Sequence, residues 1–425
     1  MNALLFVIFF VLMAMGVPIA FCLELSGAGF LSITGMRPLV LVAQRMMVGI
    51  DSFPLLAIPL FICTGFLMES TSMSSRLVDC VESYVGRIKG AMGVITIISC
   101  TIFAALTGSG PATVAAIGAI MLPALTRSGY PKHSAAGLVA SGGALGPIIP
   151  PSVAMIVYGS TLNLSIPKMF IGSVLPGLLM AFMLIVVNQI LVVRYGIRRS
   201  ETIHTWPERL SKTWRALGTL LLPIIVLGGI YGGIFTPTEA AVVSTVYSLI
   251  IGFAYKELTI KKVVNVFERT VETSSTVILI LAASGLFAWL LTMTRIPNTV
   301  SAAVISVVNS KYLYLCILTL LLFAVGTLMD ALVSIVILGP IVVPIGLALG
   351  VDPLHLGCLF CINLIVGFVT PPFGINLYTA VSTTGVSYSD VVKGTVPYMI
   401  ALMIGVVLIT FIPQIVLWLP SIMYG

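Results

Sequence analysis

Two apolar stretches of this chain are interrupted by the same kind of Gly/Pro run, about half a chain apart. The first reads Ser141-Gly142-Gly143-Ala144-Leu145-Gly146-Pro147-Ile148-Ile149-Pro150-Pro151-Ser152. The second reads Asn363-Leu364-Ile365-Val366-Gly367-Phe368-Val369-Thr370-Pro371-Pro372-Phe373-Gly374-Ile375-Asn376. A helix broken inside hydrocarbon frees backbone carbonyls and amides that lipid cannot satisfy. Such breaks persist only where they are buried in protein or line a cavity. Matching breaks in a duplicated membrane protein point to the ion and substrate site of a carrier.

Composition supports a membrane chain. Hydrophobic residues make up 59% of the 425 and charged residues 8%, and the mean hydropathy is +1.17. At roughly 20 residues per crossing, this length leaves room for about a dozen membrane segments and no soluble domain. The N-terminal run Met1-Asn2-Ala3-Leu4-Leu5 has no cationic start and no small-residue cleavage site, so it reads as a retained helix, not a signal peptide. The net charge of +7 sits in short loops, which fits membrane orientation and gives no reason to expect nucleic acid. Cys358 and Cys361 have redox spacing but no partner cysteines or histidines, and they read as buried structural thiols. His133, His204 and His355 are isolated, and no P-loop is present.

Placing Pro150 on Pro371, an offset of 221, aligns more than the two breaks. Gly16-Val17-Pro18 meets Thr236-Pro237-Thr238-Glu239, and Asp51 meets Glu272 at the expected start of the next span. Thr107 to Thr113 meets Leu328 to Ser334, and Gly172 to Pro176 meets Gly394 to Pro397. The repeats cover 1–193 and 217–425, joined by a basic segment at 194–216 that holds Arg194, Arg198, Arg199, Arg209, Lys212 and Arg215. Six bases in one connection mark it as cytoplasmic. Carried through the spans, that choice puts all but Arg37, Arg45, Lys168, Arg295 and Lys311 of the 21 Lys and Arg on the cytoplasmic side. The predicted fold is therefore an all-α polytopic membrane protein with two inverted-topology repeats.

Each repeat reads as two spans, a third, a re-entrant hairpin, a broken helix and a last helix. The hairpins are expected at about 91–125 and 313–346, the broken helices at about 134–162 and 355–383. Residues 70–90 read as an amphipathic helix on the cytoplasmic surface.

Half-helix C-termini and unwound carbonyls suit Na⁺, while N-termini and small hydroxyls suit a carboxylate. The Na⁺ candidates in the first repeat are Gly108, Ser109, Thr113, Ser141, Gly142 and Gly146. In the second they are Gly326, Thr327, Asp330, Gly367 and Thr370. Ser109, Ser152, Asp330, Ser334, Gly374 and Asn376 are the substrate candidates. Two clusters imply two or more Na⁺ ions with the substrate between them. Each Ser or Thr taken alone also fits plain helix packing; adjacent breaks in both halves do not. Asp330 has three readings: a Na⁺ ligand, a proton acceptor, or a cap on its own hairpin. Glu239 follows a Thr-Pro-Thr and reads as a helix start. A bulky residue at Gly142 or Gly367 is expected to abolish Na⁺ dependence.

Thr107-Gly-Ser-Gly-Pro-Ala-Thr113, Ala140-Ser-Gly-Gly143 with Pro147-Ile-Ile-Pro-Pro151, Phe235-Thr-Pro-Thr-Glu-Ala240 and Gly367-Phe-Val-Thr-Pro-Pro-Phe-Gly374 carry a resemblance over essentially the whole chain. It resembles the large membrane subunit of tripartite ATP-independent periplasmic (TRAP) transporters. The resemblance implies a multi-pass protein of the bacterial inner membrane, paired with a small four-helix membrane subunit. It also implies a periplasmic binding protein that delivers an organic acid, such as a C4-dicarboxylate or sialic acid, for Na⁺-coupled import by an elevator mechanism. The chain is similar as well to divalent-anion/sodium symporters, whose hairpin tips carry Ser-Asn-Thr. Here the tips are Gly108-Ser109-Gly110 and Met329-Asp330-Ala331, which argues against that stand-alone alternative. No HExxH, GxSxG or paired-Asp motif supports an intramembrane enzyme.

Overall fold

The computed structural model describes residues 3–86, 88–197, 204–308 and 310–424. Arg87, Arg198 and Arg199, counted above as cytoplasmic charges, lie outside the described residues. In the first repeat the helices are α1 (Ala3–Ala14), α2 (Ile19–Thr34), α3 (Val40–Ile50), α4 (Ala57–Glu69) and α5 (Met73–Val85). They continue with α6 (Ala91–Thr107), α7 (Gly110–Arg127), α8 (Lys132–Gly143), α9 (Leu145–Ile148), α10 (Val153–Leu162) and α11 (Ile166–Arg194). The second repeat opens with α12 (Trp206–Tyr231), α13 (Pro237–Ala254), α14 (Ile260–Met293), α15 (Ile296–Val307), α16 (Lys311–Leu328) and α17 (Ala331–Ala348). It closes with α18 (Pro353–Gly367), α19 (Ile375–Thr384), α20 (Tyr388–Phe411) and α21 (Gln414–Tyr424).

The two repeats run in opposite senses. At the same offset, α14 is the counterpart of α3 plus α4, and these counterparts pack together along their lengths. Gly49 lies against Gly285, where an added methyl would come 2.9 Å from the Gly285 Cα. Twenty residues further on, Glu69 pairs with Arg269 at 3.2 Å. Residue numbers thus rise along one partner and fall along the other. The chain folds as two inverted repeats.

Three expectations need correction. Asp51 does not start a span: it sits at a 69° elbow between α3 and the segment Phe53–Glu69, while Glu272 lies well inside the continuous α14. Pro54 explains the difference, because it lacks an N–H and disfavours helical geometry just before it. Its counterpart near 275 is not a proline, and Thr238 Oγ1 donates to the freed Phe53 carbonyl at 3.2 Å. The basic segment at 194–216 is also shorter than expected. Helix α12 already begins at Trp206, closed by a capping box of Thr205 and Glu208 in which the Thr205 amide donates to Glu208 Oε2 at 2.9 Å. Finally, among the described residues nine helices are long and apolar enough to cross a membrane, or up to ten with the bent pair. This count falls below the expected dozen because six further apolar helices, α1, α2 and α6 among them, run only 10–17 residues and miss the length of a full crossing.

Helix α5, in the segment read as an amphipathic helix, does carry one apolar side. Its apolar side, Met73, Leu77 and Val81, is buried, and α12 is the main cover. Thr219 donates to the Met73 carbonyl at 3.3 Å, and the Tyr84 and Thr213 hydroxyls lie 2.9 Å apart. At the start of α5, Glu257 accepts from the Ser72 amide and hydroxyl and pairs with Arg76 at 3.1 Å. Arg76 in turn lies 3.8 Å over the Tyr255 ring. Partial burial pushes the Glu257 pKa up, but the Ser72 hydrogen bonds and Arg76 outweigh it and hold the carboxyl below its ordinary value. A lowered folded-state value stabilises the fold above the unfolded carboxylate pKa, and this stabilisation is lost as pH falls through the folded value. Glu257→Gln is therefore expected to cost about 1 kcal/mol at neutral pH. In a thermal unfolding series the deficit should close as pH drops below 4.5, the ordinary Glu value; a deficit independent of pH would refute this account.

Candidate functional site

Each hairpin turns in two residues. Gly108 adopts φ +60°, which favours glycine, and Ser109 then caps α7, its hydroxyl accepting from the Ala112 amide at 3.5 Å. In the second hairpin Met329 leads to Asp330, which caps α17 by accepting from the Leu332 amide at 2.8 Å. Ser109 and Asp330 stand 221 residues apart, and so do Thr113 and Ser334. Both members of the latter pair turn inward on their own caps. Thr113 Oγ1 donates to the Ser109 carbonyl at 2.8 Å, and Ser334 Oγ to the Asp330 carbonyl at 2.9 Å. The tips share one design, with a hydroxyl in one copy and a carboxylate in the other.

Each tip rests on the broken helix of its own repeat, at contacts only glycine allows. A methyl on Gly108 would lie 2.4 Å from the Pro151 carbonyl oxygen, and one on Gly146 2.5 Å from the Ser109 oxygen. In the second copy a methyl on Gly326 would lie 2.7 Å from the Leu364 oxygen, and one on Gly367 2.2 Å from the Gly326 carbonyl carbon. Pro150-Pro151 and Pro371-Pro372 are both cis.

The tips and breaks enclose a cavity of about 170 Å³. Thr107 to Pro111 and Asp330 to Leu332 contribute the tips; Pro147, Val153 and Ala154 contribute the first break, and Phe368 and Ile375 the second. A neighbouring cavity of about 190 Å³ is lined by Gly326, Thr327, Phe373 and Tyr378, and Asp330 lines both. Four helix N-termini, those of α7, α10, α17 and α19, therefore face the first cavity, and among the described residues no Lys or Arg lines either one. Helix N-termini favour negative charge through their free amides and aligned dipoles.

Of the sequence candidates, Gly108, Ser109, Gly326, Thr327 and Asp330 line a cavity. The others stand behind them. Ser152 Oγ donates to the Pro147 carbonyl and caps α10. Ser141 donates to the Gly137 carbonyl at 2.8 Å, and Gly142 lies over Cys100. Thr370 donates to the Val366 carbonyl at 3.0 Å, and Gly374 begins α19. Asn376 sits elsewhere than its sequence suggests. It belongs to the second broken helix, yet its side chain reaches the first: Nδ2 donates to the Ala140 carbonyl at 3.4 Å, and a methyl on Gly110 would lie 2.7 Å from Oδ1. This buried Oδ1 has no hydrogen-bond partner among the described residues. Ile62 and Phe66 of α4 with Thr273 and Val277 of α14 close the wall of the cavity. Only Thr273 left a trace in the sequence, as part of the polar run Glu272-Thr273-Ser274-Ser275-Thr276 inside an apolar helix.

The family model for the DctM component of the tripartite ATP-independent periplasmic transporter matches residues 6–415. The chain belongs to the DctM family. It is 40% identical over 97% of its length to the isethionate TRAP transporter permease protein DctMQ of Oleidesulfovibrio alaskensis, and spans 65% of that protein. It is 36% identical to the C4-dicarboxylate TRAP transporter large permease DctM of Vibrio cholerae, covering 100% of this chain and 98% of that one. To the sialic acid permease SiaM of the same organism it is 32% identical, with 96% of each chain covered. The fold is that of the Alcanivorax borkumensis YdaH transporter, with a TM-score of 0.65 over 86% of each chain at 12% identity. As a DctM-type permease the chain is a multi-pass membrane transporter subunit.

Proposed function

We propose that this permease imports an organic acid together with Na⁺ across the bacterial inner membrane. A periplasmic binding protein would deliver the acid, and a small four-helix membrane subunit would complete the permease. One observation carries the reading: four helix N-termini converge on a cavity that no basic side chain lines among the described residues. Such a site attracts an acid group through amides and dipoles, yet Asp330 adds a negative charge of its own. Two negative groups in a low-dielectric cavity need cations beside them. The relatives named above carry isethionate, C4-dicarboxylate and sialic acid, which all bear an acid group. Their shared chemistry supports the substrate class and leaves the individual acid open.

The chain's oxygens suit a hard monovalent cation. Asn376 Oδ1 is buried beside Gly110 and has no hydrogen-bond partner among the described residues, and carbonyls and hydroxyls dominate both clusters. Ser109, Gly110 and Asn376 would hold one ion, and Gly326, Thr327, Asp330 and Gly367 another. Bound Na⁺ would supply the charge that offsets Asp330 and the acid. Each hairpin tip rides on its own broken helix through glycine contacts, so tip and break move as one block against the wall formed by α4 and α14. This is the elevator reading.

The test needs no substrate. The permease with its small subunit should unfold at a higher temperature in NaCl than in KCl or choline chloride at equal ionic strength. A ligand specific to the folded form adds about 2.7 kcal/mol at a hundred times its dissociation constant. Identical curves in the three salts would overturn Na⁺ coupling and leave Asp330 as a proton carrier.

A further inference from the structure

We propose that Tyr388 is a positioning residue for the second cavity: its hydroxyl holds the Pro372 carbonyl and so fixes the unwound segment that walls that cavity. This deepens the reading above and rests on its claim that the cavity is a binding site.

The two breaks are braced differently. Pro151 of the first is buried, and its carbonyl oxygen lies against Gly108 of the hairpin tip, where only glycine fits. Pro372 of the second lies exposed, between Phe373 and the preceding turn, and Phe373 is itself 59% exposed. A free carbonyl at the depth of a helix break finds no donor in lipid. Two phenols supply the donors: Tyr388 bonds the Pro372 oxygen at 2.7 Å and Tyr378 at 3.4 Å. Their rings stack with centroids 5.0 Å apart and 26° between planes. The pair belongs to the second repeat alone. Tyr378 is the fourth residue of α19 and Tyr388 the first of α20; the same places in α10 and α11 hold Ile156 and Ile166, both buried.

The hold on Pro372 reaches the cavity through a few bonds. The segment from Phe368 to Asn376 is tied into a tight loop: the Gly374 amide donates to the Thr370 carbonyl at 3.1 Å, and the Asn376 amide to the Phe368 carbonyl at 3.1 Å. Phe368 and Ile375 line both cavities, and Phe373 lines the second. Pro372 stands among these lining residues, so a shift of its carbonyl moves the wall. Tyr388 supplies a fixed post, because α20 is seated backbone to backbone on α8 where Gly394 meets Gly137. Tyr388 itself lines neither cavity and acts through Pro372. Tyr378 lines the second cavity, but its bond to the same oxygen is long and correspondingly weak.

The experiment uses the complete permease with its small subunit. Thr327→Cys places a thiol on the second cavity, at a position only 9% exposed, and N-ethylmaleimide labelling is followed by mass. Of the seven natural cysteines only Cys316 is exposed, so its labelling rate on the same molecules is the internal reference. Adding Tyr388→Phe keeps the ring and removes the hydroxyl. It should speed labelling at 327 about three- to tenfold relative to Cys316, the factor that one neutral hydrogen bond gives. Tyr378→Phe, which gives up the longer bond, should change the rate less than twofold. In the permease that keeps Thr327, Tyr388→Phe should also raise the NaCl concentration of the half-maximal thermal shift about threefold or more. An unchanged or slower rate at 327 would overturn the inference. So would equal gains at the buried cysteines, which would mean a general loosening of the fold, or an unmoved NaCl midpoint in a permease that shows the shift. If the wild type shows no Na⁺ shift at all, the coupling reading fails, and the labelling rates still decide the role of Tyr388.

Discussion

Asp330→Asn is expected to lower uptake roughly ten- to a hundredfold, the factor that about 1.5–3 kcal/mol for a hydrogen bond to a charged group gives. Glu239→Gln should leave uptake within about twofold, because Gln closes a capping box as Glu does. The comparison is clean because Asn caps a helix about as well as Asp. The Leu332 amide keeps its acceptor, and the hairpin keeps its shape. What is lost is the charge, at the one acidic position among the described residues that lines both cavities. Glu239 is equally a cap, accepting from the Thr236 amide at 2.8 Å, but it is exposed and lines neither cavity. Uptake by proteoliposomes, normalised to inserted protein, separates the two. Wild-type uptake by Asp330→Asn would remove the carboxylate from the mechanism and leave only its capping role.

That test turns on an asymmetry the sequence displayed only in part. The duplication, the hairpins and the breaks were legible because Gly and Pro are needed wherever backbones touch or helices stop. Gly108, Gly146, Gly326 and Gly367 all mark such contacts. The elbow after α3 was not legible as an elbow, since Ser52-Phe53-Pro54 also opens spans elsewhere. Nor did spacing show that Asn376 crosses to the other repeat, because repeat alignment assigns a residue to its own copy and is blind to contacts between copies. The wall of the cavity was harder still. Ile62, Phe66 and Val277 are ordinary apolar residues on apolar helices, and only tertiary packing turns them toward the site.

Gly367→Ala should abolish uptake, while Gly142→Ala should reduce it far less, although the sequence treats the two positions alike. The difference lies in what the new methyl meets. At Gly367 it would stand 2.2, 2.4 and 2.7 Å from three backbone atoms of Gly326. No rotamer change relieves a collision with backbone, so the second hairpin must shift off its broken helix. Overpacking of this kind costs about 1–3 kcal/mol, which most membrane folds survive. The functional loss is larger, since a displacement of about 1 Å at reacting or binding groups can cost roughly a hundredfold, and Asp330 lies four residues beyond Gly326. At Gly142 the methyl would meet only the Cys100 side chain, with Sγ at 2.8 Å and Cβ at 3.4 Å. Cys100→Ala should therefore restore Gly142→Ala, and no single side-chain truncation should restore Gly367→Ala. Uptake and the Na⁺-dependent thermal shift, measured on the same preparations, decide it. Gly367→Ala that still takes up substrate with Na⁺ would show that the fit of tip to break is mere packing, and that the ions bind elsewhere.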